Sequence, residues 1–167
     1  MATTKFRGVV NATGGFQVNS SPISTMTFSK VDVTDSTLTV DATTHGGKIV
    51  TLSRAAGITV TLPAATGSGI VYRFYVAIAV TTNNDIIKVA NASDTMVGTV
   101  LSTLAAGGTT FGETAGGTDD TITMNGTTTG GLIGSYVELT DWATNVWYVY
   151  GSLAGSGTLA SSLSATV

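Results

Sequence analysis

The chain has 167 residues, 43% of them hydrophobic, which suffices for one domain with a core plus an arm. Only 10% of its residues are charged, the net charge is −3, and it holds no cysteine and one histidine; an ordinary soluble domain is roughly 25% charged. These numbers argue against several function classes. There is no basic patch to attract nucleic acid. There is no disulfide framework or thiolate metal site. No apolar run approaches the about 20 residues of a membrane helix, and aromatic residues are too sparse for the girdles of a membrane barrel.

Residues 1–47 carry widely and irregularly spaced apolar side chains: Phe6, Val9, Val10, Phe16, Val18, Ile23, Met26 and Phe28. Between them lie the loop signals Asn11-Ala12-Thr13-Gly14-Gly15 and Asn19-Ser20-Ser21-Pro22. Lys5 and Arg7 are not followed by an apolar run, so this is not a secretory signal. The segment reads as an extended arm with one or two short strands that gains order by packing on a neighbour. Phe6, Val9, Val10, Phe16, Val18 and Phe28 are its expected anchors.

A domain spanning residues 48–151 follows. Ile58, Val60 and Leu62 alternate with Thr59 and Thr61, the pattern of a half-buried strand, and Pro63 ends it. Residues 70–80 form the strongest strand signal. Ile70, Tyr72, Phe74, Val76, Ile78 and Val80 make one face, and Val71, Arg73, Tyr75, Ala77 and Ala79 the other, which predicts a strand covered on both sides. A turn at residues 81–85 and a return at 86–90 make 70–90 a predicted hairpin. Residues 96–118 are weak, with Phe111 as their one sizeable anchor, and read as an exposed loop or a poorly packed pair of short strands.

Asn125-Gly126 between two Thr-rich runs predicts a type I′ hairpin. A second hairpin is expected from residues 133–140 and 146–151, turning at 141–145. It carries Tyr136, Trp142, Trp147, Tyr148 and Tyr150. Residues 152–167 read as a small-residue tail. Eight to ten short strands, no helix and regular turn signals predict an all-β, jelly-roll-like β-sandwich behind an extended arm.

Candidate chemistry is thin. His45 is the one imidazole available to a catalytic triad, and no Gly-x-Ser-x-Gly elbow accompanies it. It reads as a turn residue before a Gly pair. Asp85, Asp94, Asp119, Asp120 and Asp141 all fall at predicted turns, without a calcium-loop pattern. Glu113 and Glu138 are the only glutamates to offer a glycosidase pair, and Glu138 alternates outward between Val137 and Leu139. The expectation is no catalytic residue, no metal and no cofactor. Trp142, Trp147, Tyr148 and Tyr150 read first as a core cluster under the last hairpin; Trp142, Trp147 and Tyr148 are also the second choice for a contact patch after the arm.

One stretch carries a resemblance. Residues 55–69, with Ile58-Thr59-Val60-Thr61-Leu62-Pro63-Ala64-Ala65-Thr66-Gly67-Ser68-Gly69, then Tyr72-Arg73-Phe74, resemble a segment of virion proteins of tailed bacteriophages. Ile87-Lys88-Val89-Ala90-Asn91-Ala92, residues 120–131 and the closing Leu163-Ser164-Ala165-Thr166-Val167 are similar to the same proteins. The likeness covers about residues 37–167 and leaves out the arm. It points to capsid decoration (cement) proteins or to small head-fibre and tail-fibre proteins. The resemblance implies a homotrimer on the outer surface of a phage head, with the major capsid protein as partner and no catalytic residues to carry over. The expected function is to stabilise contacts between capsid subunits. The alternative is a fibre that meets the host surface through residues 98–117.

Overall fold

A computed structural model of the chain describes residues 29–167, and before them the backbone of two short strands, β1 (Phe16–Val18) and β2 (Ser21–Ile23), which pair with each other. The next six strands are β3 (Lys30–Val33), β4 (Thr37–Thr39), β5 (Ile49–Leu52), β6 (Thr59–Thr61), β7 (Val71–Val76) and β8 (Asp85–Lys88). They wind as a coil. β3, β5 and β7 lie parallel in one sheet with Val31, Val50 and Phe74 in register. β4, β6 and β8 lie parallel in a second sheet with Leu38, Val60 and Ile87 in register. Parallel strands need a crossover, and here each crossover contains the strand of the opposite sheet. The stacked apolar rungs close on each other to make the core.

The second half of the chain extends both sheets. β12 (Tyr136–Ala143) runs antiparallel to β7, and β13 (Val146–Gly155) antiparallel to β12. β9 (Thr95–Leu104) lies parallel to β13 over its whole length, with β10 (Thr110–Ala115) at the edge. β11 (Thr121–Met124) pairs with β8, and β14 (Leu163–Ser164) with β11. The result is a seven-stranded sheet, β10-β9-β13-β12-β7-β5-β3, facing a five-stranded sheet, β14-β11-β8-β6-β4. This is the expected all-β sandwich, with both sheets mixed. Trp147, Tyr72, Phe74, Leu52, Ile87, Met96 and Leu139 are among its fully buried side chains, and Trp147 packs on Tyr72 at 5.8 Å.

Several local expectations are corrected. The sandwich begins at residue 30, inside the expected arm, because Val31 and Val33 and then Leu38 and Val40 alternate inward over strands of three or four residues. Phe6, Val9, Val10 and Phe28 lie outside the described residues; Phe16 and Val18 fall in β1. A one-turn helix, α1 (Ala42–His45), is capped by the Asp41 side chain. The strand predicted for residues 70–80 ends at Val76, Ile78 is exposed, and Arg73 and Tyr75 are only half-buried. Residues 70–90 form no hairpin, since β7 and β8 belong to opposite sheets. Nor does Asn125-Gly126 turn a hairpin: the Asn125 side chain accepts the N–H groups of Thr127 and Thr129 and folds its own tight loop.

Two further segments are structured where little was expected. Residues 96–118 hold the strand pair β9 and β10, the second of the two expected readings, but β9 is ten residues long and is packed between β10 and β13. Gly98 and the inward Ser102 interrupt the apolar alternation of β9 and hid it. The expected tail is also tied in. β13 runs on to Gly155, Ser162 is buried, and the Asp120 carboxylate accepts the N–H groups of Thr166 and Val167.

Candidate functional site

Most of the carboxylates, and His45, make hydrogen bonds that hold the fold. Asp141 ends the inward row Val137, Leu139, Asp141 of β12 and is buried. Its carboxylate accepts the N–H groups of Thr66, Gly67 and Ser68 at 2.8, 2.7 and 3.0 Å, and the hydroxyls of Thr66 and Ser68 at 2.9 and 2.6 Å. Burial works to raise its pKa. The donors from Ser68, Gly67 and Thr66 outweigh burial and hold it at about 2. The loop of residues 64–69 is thereby fixed to the end of the last hairpin.

Asp94 accepts from Ala65 N–H and Asn91 Nδ2, both at 3.0 Å. Asp85 is fully buried and accepts from Ile58 N–H at 2.8 Å. Desolvation raises its pKa to about 6, with the Ile58 hydrogen bond working against that rise. Asp119 accepts from Gly116 N–H at 2.7 Å. Glu113 points to the C-terminal segment and accepts from Ser161 Oγ and Ser162 N–H. His45 ends α1, is buried, and accepts from Asp41 N–H through Nδ1 at 3.1 Å. Glu138 forms an ion pair with Arg73 at 2.8 Å and accepts the Tyr136 hydroxyl at 2.8 Å. Desolvation and then this Glu138 contact push Tyr136 up to about 12. Among the described residues, no three of His, Asp and Glu converge as a metal-holding group.

The outer surface offers candidates of another kind. The two outer faces of the sandwich differ in kind. On the five-stranded sheet the outward positions are mainly hydroxyls: Thr37, Thr39, Thr59, Thr61 and Thr123, with Lys88. On the seven-stranded sheet threonines and the charged Lys30, Asp32, Arg73 and Glu138 also face outward, but among them stand large exposed aromatic and apolar side chains. Trp142 is 66% exposed, Tyr150 52%, Leu101 45% and Tyr148 41%. Trp142 packs on Tyr148 at 5.7 Å, and Tyr75 packs on Tyr136 at 4.7 Å.

No protein-family model, curated protein or solved structure matches this chain.

The expected contact patch is therefore split by strand alternation. Trp142 and Tyr148 face outward, whereas Trp147 points into the core at 0% exposure and leaves the patch. Tyr150 and Leu101 join them from neighbouring strands of the same face. Beside Tyr150 a cavity of about 330 Å³ opens among Thr99, Leu101, Gly112 and Thr114, with Gly112 supplying no side chain to fill it. Strand pairing across β10, β9 and β13 makes this site, and Gly98 and Ser102 weaken the alternation of β9 in the sequence. Leu101 and the cavity were accordingly missed.

Proposed function

We propose that this protein is a structural virion component, a decoration protein that lies on the outer surface of a tailed-phage head and bridges neighbouring major capsid subunits. The observation that supports it best is the cluster of exposed aromatic side chains on one outer face of the sandwich. The outer face of the seven-stranded sheet presents Trp142, Tyr148, Tyr150 and Leu101 around a shallow cavity. Exposed aromatic patches of this kind mark contact surfaces. The two ion pairs on this face, Arg73–Glu138 and Lys30–Asp32, are each matched internally, so covering them leaves no unpaired charge. The opposite face, with its threonine hydroxyls, suits water. In this reading the protein lies with the aromatic sheet against the shell and acts as a homo-oligomer, a trimer by the resemblance, adding weak contacts by multivalency. It performs no reaction.

A fibre role is the second reading. The parallel coil of β3 to β8 favours it, because stacked coils build stiff rods. Residues 98–117 would then offer the host only the turn between β9 and β10. The experiment is co-sedimentation of the purified protein with phage heads, with copy number read from the bound fraction. Saturable binding at a high fixed copy number, with shells that then survive heat or osmotic shock better, is the expected result. No binding to heads, or a few copies confined to the tail, would overturn it.

A further inference from the structure

Two loops at one end of the sandwich, residues 53–58 and 81–85, are locked together. Thr81 N–H donates to Ala55 C=O at 2.8 Å, Asn83 Nδ2 donates to Ala56 C=O at 3.0 Å, and Ile58 N–H donates to Asp85. Gly57, at φ +79°, runs so close to the Asn84 backbone that any side chain there would collide with it. This lock fixes a wall of a cavity of about 530 Å³. Ser36, Thr59 and Ile86, from the five-stranded side, line it as well.

Arg54 is the charged residue in that lining. Its guanidinium makes one long contact, Nη1 to Gly57 C=O at 3.5 Å, and no described carboxylate pairs with it. Arg73 and Lys30, by contrast, are each paired with a carboxylate. Ser36, Thr82 and Asn84 are exposed and Thr59 half-buried, and their side chains make no hydrogen bond among the described residues. The cavity thus gathers one planar cation without a counter-charge, several idle hydroxyl and amide groups, and the small apolar surfaces of Ala56 and Ile86.

We propose that this cavity binds an acidic saccharide, a sugar of the uronic or sialic type. The carboxylate would take the guanidinium fork of Arg54 in bidentate fashion. Sugar hydroxyls would meet Ser36, Thr59, Thr82 and Asn84, and a C–H face of the ring would rest on Ile86. The volume lies in the range of small-ligand sites. A phosphate or nucleic acid is a poorer fit, since a single cation in a chain of net charge −3 gives little field to hold multiple negative charges. The lining takes Thr59 and Ile86 from paired positions of the five-stranded sheet and no residue from the strands of the aromatic face. The site therefore stays accessible when the aromatic face is covered, and it stands whether or not the decoration reading does.

The test is a chemical-shift titration of the isotope-labelled full chain with N-acetylneuraminate, glucuronate, glucose and acetate. Saturable shifts at Gly57, Thr59, Asn84 and the Arg54 side chain are expected with at least one acidic sugar. Glucose and acetate should bind at least about tenfold more weakly. Arg54→Gln should abolish the shifts and Arg54→Lys should weaken them, while Tyr148→Ala on the far face should leave them intact. Equal affinity for acetate, binding retained in a folded Arg54→Gln chain, or no saturable shift with either acidic sugar would overturn the proposal.

Discussion

The carboxylate of Asp141 accepts the N–H of Gly67 at 2.7 Å across 74 residues of sequence, and the same oxygen accepts the N–H of Thr66. Removing that acceptor leaves the N–H groups of Thr66, Gly67 and Ser68 without a partner. Asp141→Ala should destabilise the fold by about 2 to 4 kcal/mol, read by urea denaturation at pH 7. Asp141→Asn should fall between it and the wild type. The pH dependence has a fixed sign. The folded pKa, about 2, lies below the usual carboxylate value of 3.8. The stabilisation is complete above pH 4 and is lost as pH falls toward 2. Acid unfolding of Asp141→Asn should lack this component; an acid transition identical to that of the wild type would refute the assignment.

Asp85 behaves in the opposite way. Its folded pKa is raised to about 6, above 3.8, so folding favours the protonated form. Its contribution is fully present below pH 4 and is lost as pH rises through 6. One carboxylate oxygen, Oδ2, has no partner among the described residues, while the other holds Ile58 N–H. Asp85→Asn retains that acceptor and cannot ionise. It should be more stable than the wild type at pH 8, by up to about 3 kcal/mol, with the advantage vanishing near pH 4. Thermal melts of both proteins at the two pH values check this. A variant less stable than the wild type at pH 8 would show that the charge is not the cost at this position.

The burial of these carboxylates was legible in the sequence, in the phase of the strands. Asp141 shares its parity with Val137 and Leu139, Asp85 with Ile87 and Val89, Asp120 with Ile122 and Met124, and Asp94 with Met96 and Val100. Each of the four is buried alongside those neighbours. Reading them only as turn residues gives weight to residue type and passes over the period of two. The sandwich class and the last hairpin were legible for the same reason, since both follow from local alternation and turns. Strand partners were not. Whether β8 meets β7 or β6 is decided by packing between distant segments, and nothing local to residues 70–90 encodes it. The docking face was half legible: alternation along β13 separates Trp147 from Tyr148 and Tyr150, whereas Leu101 depends on the long-range pairing of β9 with β13.

That pairing rests on Gly98. Its φ is +133°, and a Cβ there would collide with the Val149 carbonyl. Gly98→Val adds both backbone strain and a clash in the middle of a ten-residue ladder. It should cost about 3 kcal/mol or more and speed amide exchange along β9. Gly107 provides the comparison, with φ +83° and nothing within 4 Å of where a Cβ would sit. Gly107→Ala should cost only about 1 kcal/mol. Similar losses at the two positions would mean that the β9–β13 approach is looser than described.

The two tryptophans give an optical test of the docking face, because alternation places them in opposite environments. Trp142 is 66% exposed and Trp147 is 0% exposed. In the free protein, iodide should quench the Trp142 emission and leave the Trp147 emission almost untouched; Trp142→Phe should remove the quenchable component. Trp142→Ser and Tyr148→Ser together remove a cross-strand aromatic contact and the covered part of each ring, so the double variant should lose about 1 to 2 kcal/mol and stay folded. Association with heads should nevertheless weaken by about tenfold or more, since exposed aromatic anchors dominate interface energy. On saturated heads the Trp142 emission should become protected from iodide. Full quenching of Trp142 in the bound state, or undiminished binding by the double serine variant, would place the contact elsewhere on the molecule.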